Sequence, residues 1–183
     1  MEEGKGFRSF KENTSKGSII KRKGGVVLEQ TIFQHMQLVR GITEKSIQQI
    51  PEELADIIPT GFTNNIRWNF GHIAYIQEKL VYWVSGEKMN IPEAYEVFFS
   101  AGTKPAEWIE TPPTLAEILD VLIAQKQRIV DDIPGTLQKR LPEPFTNKVG
   151  ITFHTLGETF LFSFYHEALH MEAIKRIYRA IKN

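Results

Sequence analysis

The sequence predicts an all-α protein, built as a four-helix bundle with long connections between helices two and three and between helices three and four. Three observations carry this. Four segments of roughly 20 residues repeat their apolar side chains at helical spacing. Two of them open on a capping-box pattern. Pro and Gly punctuate the chain where those patterns stop.

In the first segment Ile32, Met36, Val39, Ile42 and Ile50 fall on one helical stripe that ends at Pro51. The second runs from about Thr63, an N-cap residue type, to Gly86, a residue type that closes helices. The third opens on TPPTLAEIL, where Thr114 and Glu117 form the capping box. Leu115, Ile118, Leu119, Leu122, Ile129 and Ile133 then recur at helical spacing until Pro134-Gly135. The fourth opens on TLGETF, with Thr155 and Glu158 as its capping box, and meets no breaker before about Ile181. The connections over residues 86–113 and 135–154 are long for a compact domain, a length associated with lids and crossovers. Their reach argues against a plain up-down arrangement. The second has room for a short strand or hairpin around Val149–Phe153.

Residues 1–27 differ from the rest of the chain. They are polar, Gly-containing and basic, and the expectation is a flexible basic tail ahead of a domain over 28–183. Residues 1–28 hold seven Lys or Arg and three Glu, a net charge of +4, so the rest of the neutral chain carries −4. A second reading is a mis-annotated start. Lys23-Gly24-Gly25 is what an in-frame purine-rich ribosome-binding site would encode, with Val27 (as GTG) or Leu28 (as TTG) the true start.

Composition narrows the chemistry. With 22 Lys plus Arg against 22 Asp plus Glu in 183 residues, no excess charge points to nucleic acid or another polyanion. No apolar run approaches a membrane span, no signal-peptide core is present, and a cytoplasmic location is the expectation. The chain has no cysteine, hence no thiolate ligand or thiol nucleophile of its own. A metal would have to be held by His, Asp or Glu.

The stretch FYHEALHMEA places His166 and His170 four residues apart, on one helix face, and that face is apolar: Phe162, Ser163, Ala173, Ile174 and Ile177 share it. Inward imidazoles need partners for their ring nitrogens. A divalent ion is one such partner, and the i, i+4 spacing lets two rings converge on it. Core histidines hydrogen-bonded to neighbouring helices are the competing reading, and the pair alone favours neither. The second segment adds a third inward histidine. His72 lies on a stripe with Asn65, Trp68 or Asn69, Ile76 and Lys79, beside a Gly71 that permits close approach. Three histidines with a fourth position open is the pattern of a catalytic rather than a closed metal site. His35 borders the first stripe, and His154 reads as a loop residue.

His166-Glu167-Ala168-Leu169-His170 also spells H-E-x-x-H, the zinc-protease pattern, but the context is wrong. Such proteases draw a third ligand from downstream. Here 13 residues follow His170, and their only carboxylate, Glu172, points away from the pair. Glu167 sits about 100° round the helix from His166 and reads as a supporting or surface residue, not a base.

The stretches NNIRWNFGHIAYIQEKLVYWVSGE, TPPTLAEIL and TLGETFLFSFYHEALHMEAIKRI together resemble the DinB/YfiT-like superfamily, over roughly residues 29–181. The resemblance implies an up-down-down-up four-helix bundle in which His72, His166 and His170 bind one divalent metal, zinc or nickel most often. It also implies a homodimer and a small-molecule substrate. Some relatives are S-transferases that use a low-molecular-weight thiol such as bacillithiol or mycothiol. The expectation is therefore a metal-dependent S-transferase, with a metal-dependent hydrolase or a non-enzymatic metal- or ligand-binding module as alternatives. Trp68, Tyr75, Phe98 and Phe99 are candidates for the walls of the substrate site, and core packing accounts for each equally well.

Overall fold

The computed structural model describes residues 15–183. In chain order it contains α1 (Ser15–Gln48), α2 (Ile66–Val81), a short α3 (Ala94–Phe99), α4 (Leu115–Asp132), strands β1 (Arg140–Thr146) and β2 (Thr152–Thr155), and α5 (Leu156–Lys182). The fold is thus mainly helical with a small antiparallel sheet, not all-α as the periodicity alone suggests. The hairpin sits in the 135–154 connection. Phe145 pairs with Phe153 and Thr146 with Thr152, and the ladder is irregular between Arg140 and Phe145. Pro142 and Pro144 fall in that stretch and cannot donate to a ladder. β2 starts at Thr152, because residues 147–151 form the turn. The Asn147 side-chain oxygen accepts hydrogen bonds from the backbone N–H groups of Val149 and Ile151, and Gly150 takes φ of 85°.

Of the tail expected over 1–27, residues 1–14 lie outside the described residues. From Ser15 the chain is already helical. Once the helix is nucleated by packing further along, each added residue gains a backbone hydrogen bond, so a helix extends readily into polar sequence. Contact with the rest of the domain is in place by Glu29, whose carboxylate accepts a hydrogen bond from Gly135 N at 2.7 Å.

Both capping boxes form. Thr114 caps α4 with Glu117 closing back, and Thr155 caps α5 with Glu158. At α2 the cap is Asn65 rather than Thr63, and its Oδ1 accepts from Trp68 N at 2.7 Å. Arg67 ties this end of α2 to the preceding connection through Asp56 and Glu52 and to Pro113 O ahead of α4. Among the described helices none is long and apolar enough to cross a membrane.

The long helices pack α2 against α5 and α4, and α1 against α4 and α5. They enclose two apolar clusters. One contains Ile47, Phe70, Ile73, Ile118, Leu122, Ile174 and Ile177. The other contains Met36, Val81, Tyr82, Ile129, Phe160 and Phe164. The start of α4 thus serves the first cluster, and its end, with Ile133 just beyond, serves the second.

Between the two clusters every long helix places buried polar side chains: Arg40 and Thr43 on α1, Gln77 and Glu78 on α2, Gln125 on α4, Ser163 and Glu167 on α5. They bond to one another. Arg40 donates to Gln77, to Gln125 Oε1 at 3.3 Å and to Glu167 Oε2 at 3.2 Å. Thr43 donates to Glu167 Oε1 at 2.5 Å. Gln125 donates to Glu78 Oε2 at 2.8 Å, and Arg128 donates to Glu78 Oε1 at 2.6 Å. The inward stripe of α1 therefore runs Met36, Arg40, Thr43, Ile47, while Ile42, expected inside, is 55% exposed. Arg40 takes its interior place because a carboxylate and two amide oxygens meet its guanidinium there. Along α1 and α5 the chain passes the Met36–Phe160 cluster before the Ile47–Ile177 cluster. Along α2 and α4 the order is reversed.

Candidate metal centre

Every residue of α2 from Ile66 to Tyr75 is buried, so this helix offers the interior all its faces. His72 is 5% exposed. Gly71 beside it lets the helix press on the 86–113 connection: a Cβ there would lie 2.5 Å from the Phe99 ring. That contact brings the Phe99 carbonyl to His72, whose Nδ1–H donates to it at 2.6 Å. Facing α2, α5 presents His166 and His170 one turn apart.

The three rings converge. Centroids lie 5.1 Å apart for His72 and His166, 4.6 Å for His72 and His170, and 4.5 Å for His166 and His170. One ring nitrogen from each lies within 4.8 Å of the other two. Trp68 stacks on His72 at 4.3 Å and 14°, and its indole N–H donates to Thr103 Oγ1 at 2.9 Å. His170 Nδ1–H donates to Asn69 Oδ1 at 2.8 Å. Asn69 in turn donates through Nδ2 to Asn65 O at 2.7 Å, which fixes its amide with the oxygen toward the histidine. With Nδ1 protonated on His72 and His170, Nε2 carries the free lone pair on both rings.

The surroundings favour neutral imidazoles. Burial pushes His72 down to about 4, with the Lys148 charge adding to the effect against the opposing Phe99 carbonyl. Burial, then the neighbouring histidines, pushes His166 to about 3, and burial and His72 do the same to His170. Three neutral imidazoles with no carboxylate among them fit a borderline divalent ion such as zinc or nickel, and they leave room for a fourth ligand. The set is compatible with metal binding.

These shifts make the metal-free protein acid-sensitive. All three folded values lie below the ordinary 6.5, so below that pH the unfolded chain takes up protons that the folded one does not. Stability is expected to be flat above about pH 7 and to fall as pH drops from 6.5 toward 4, with up to three protons linked to unfolding. Melting of chelator-treated protein across this range measures it. His166→Gln should flatten the dependence. Equal slopes in the two proteins would refute the assignment.

The other expected residues fall elsewhere. His35 is exposed and packs edge-on against Phe164 at 5.6 Å. His154 is exposed on β2 rather than in a loop. Glu167 is not a surface residue: it is 2% exposed and held by Arg40 and Thr43. The four expected wall residues all belong to the apolar core, and Trp68 also stacks on His72. Asn69 and the Phe99 carbonyl hydrogen-bond the histidines, and the sequence does not single them out. Asn69 is visible there only as one of two alternatives on the His72 stripe. The carbonyl carries no side-chain signal.

A cavity of about 400 Å³ opens beside His72 and His166, between α2, α5 and the turn of the β1–β2 hairpin. A larger groove of about 550 Å³ lies between α1 and α5, but no histidine lines it. The histidine cluster borders the smaller space, through His72 and His166.

No curated protein matches the sequence significantly. The family profile of the DinB superfamily matches residues 35–174, a stretch that takes in all three histidines, the whole of α2 and α4, most of α5 and the C-terminal part of α1. The chain belongs to the DinB superfamily.

Proposed function

We propose that His72, His166 and His170 hold one divalent ion, zinc or nickel, and that the protein transfers a low-molecular-weight thiol of the bacillithiol type to an electrophile. The observation that carries this reading is the convergence of three imidazole nitrogens within 4.8 Å, from the buried His72 and the half-buried His166 and His170, at the edge of a cavity of ligand size. When bound, such an ion supplies Lewis-acid chemistry that lowers the pKa of a thiol or water in its open position. The protein's own part is orientation and exclusion of water. Phe99 O and Asn69 Oδ1 fix two tautomers, Trp68 covers one face of the His72 ring, and Ile76, Phe145 and Phe162 wall the cavity. No cysteine is available, so the reacting sulfur has to arrive with the thiol.

The fold proposed with this function is the up-down-down-up four-helix bundle. The order in which the long helices cross the two apolar clusters supports it: α1 and α5 run one way, α2 and α4 the other. A homodimer in the cytoplasm belongs to the same proposal. Exposed Leu38 and Ile42 on α1, with Leu161, Tyr165 and Leu169 on α5, supply apolar stripes for a partner copy.

The test is to incubate metal-loaded protein with a panel of small thiols and an aryl or epoxide electrophile. Thiol adduct should form above the uncatalysed rate, and His72→Ala should remove the excess. If no thiol works while an ester or amide is hydrolysed only with metal present, the protein is a hydrolase. If neither occurs, it is a binding module.

A further inference from the structure

We propose that the cavity beside the three histidines receives a small anion with an apolar body, whose acidic oxygens are held by Lys79, Lys148 and the side-chain amide of Asn147. The inference rests on the reading of the site as a small-molecule centre and adds the class of ligand it takes.

The first observation is charge. Lys79 lies seven residues after His72, two turns along the same face of α2, and lines the cavity together with Lys148 from the hairpin turn. No Asp or Glu lines it. Four lysines elsewhere pair with carboxylates, Lys126 with Glu44, Lys104 with Glu107, Lys139 with Glu87 and Lys175 with Glu172, while Lys45, Lys88 and Lys182, which do not line the cavity, have no such partner among the described residues. Among the described residues neither Lys79 nor Lys148 has such a partner. Lys79 Nζ instead lies 4.6 Å from the centre of the Trp83 ring. Two ammonium groups beside a partly enclosed, largely apolar space, with no counter-charge on its walls, give that space a positive potential.

The second observation is independent. Asn147 also lines the cavity. Its Oδ1 is occupied by the N–H groups of Val149 and Ile151, while its Nδ2 is buried without an acceptor. A buried amide donor is costly to leave unpaired. Two cations and an idle donor among the lining residues call for a ligand rich in acceptor oxygens and negative in charge. The rest of the lining, with Ile76, Leu80, Phe145 and Phe162, is apolar and suits a hydrocarbon or aromatic body. The volume of about 400 Å³ falls within the range of small-ligand pockets.

The probes are five six-carbon molecules that differ at the head: hexanesulfonate, hexyl phosphate, hexanoate, hexanol and hexylamine. Binding is measured by calorimetric titration of the full chain, both metal-loaded and chelator-treated. The anions are expected to bind at least about tenfold tighter than hexanol in both forms, to weaken with added salt, and to outbind hexylamine. The ratio of hexyl phosphate to hexanoate in the chelator-treated protein then names the headgroup. Lys79→Met combined with Lys148→Met should bring anion and alcohol to equal affinity while metal stoichiometry and melting temperature stay as in the wild type. If the wild type binds hexanol as well as the anions, or the double variant keeps the preference, the proposal is overturned. A preference seen only in metal-loaded protein would place it on the ion and overturn the proposal too. A wild type that takes up no stoichiometric metal but still prefers the anions would sink the metal assignment and leave this one supported.

Discussion

Arg40→Ala is expected to destabilise the domain by about 3–5 kcal/mol, the range for removing one partner of a buried ion pair. The reason is what stays behind. Glu167 is 2% exposed, and its carboxylate would keep Thr43 as a partner but lose the guanidinium. Gln77 and Gln125 would lose their shared donor at the same time. For a chain of this size the loss corresponds to a fall in melting temperature of roughly 6–20 °C. The pair itself need not be strongly favourable. Arg40 Nε is buried without an acceptor, so the guanidinium is incompletely satisfied. Hence Arg40→Met combined with Glu167→Leu should recover much of the loss. Urea unfolding of the three proteins measures this. A loss under about 1 kcal/mol for Arg40→Ala would show that water replaces the guanidinium freely and that the buried network is not a structural element.

His170→Ala is expected to abolish stoichiometric metal uptake while leaving the helical fold in place. The helices are built on apolar stripes and caps that the substitution does not touch. In the wild type, metal at 100 times its dissociation constant would stabilise by about 2.7 kcal/mol, which is roughly 5–11 °C in melting temperature. The variant should show no such shift. Asn69→Leu should fall between them. It removes the acceptor that fixes His170's tautomer, a kind of change that costs about 10–100-fold in metal affinity. Elemental analysis and melting with and without zinc or nickel decide it. Equal metal-induced shifts in wild type and His170→Ala would remove His170 from the ligand set.

What is legible in the sequence is local. Thr114 with Glu117 and Thr155 with Glu158 announce two helix starts because a capping box is a contact between residues three apart. His166 and His170 announce a shared face for the same reason, and His72 joins them through the apolar character of its neighbours. What is not legible depends on partners distant in the chain. Arg40 looks like a polar interruption in an apolar stripe, since its acceptors come from residues 77, 125 and 167. Glu167 looks peripheral because the helix that buries it lies 124 residues away in sequence, at Thr43. The hairpin is foreseeable only loosely. Two prolines in β1 hide its strand character, and the Val149–Ile151 stretch that reads as strand is bent by Asn147 and Gly150.

The ring of Phe99 on Gly71 makes the length of the 86–113 connection matter at a distance. His72 takes its orientation from the carbonyl of Phe99, so the backbone of that connection is part of the imidazole's support. An insertion or deletion ahead of α3 would not merely lengthen a surface segment. It would slide the carbonyl along α2, free Nδ1, and let the ring turn its other nitrogen inward. A loop transplanted from another protein that misplaced this carbonyl would disturb the centre without altering a single histidine.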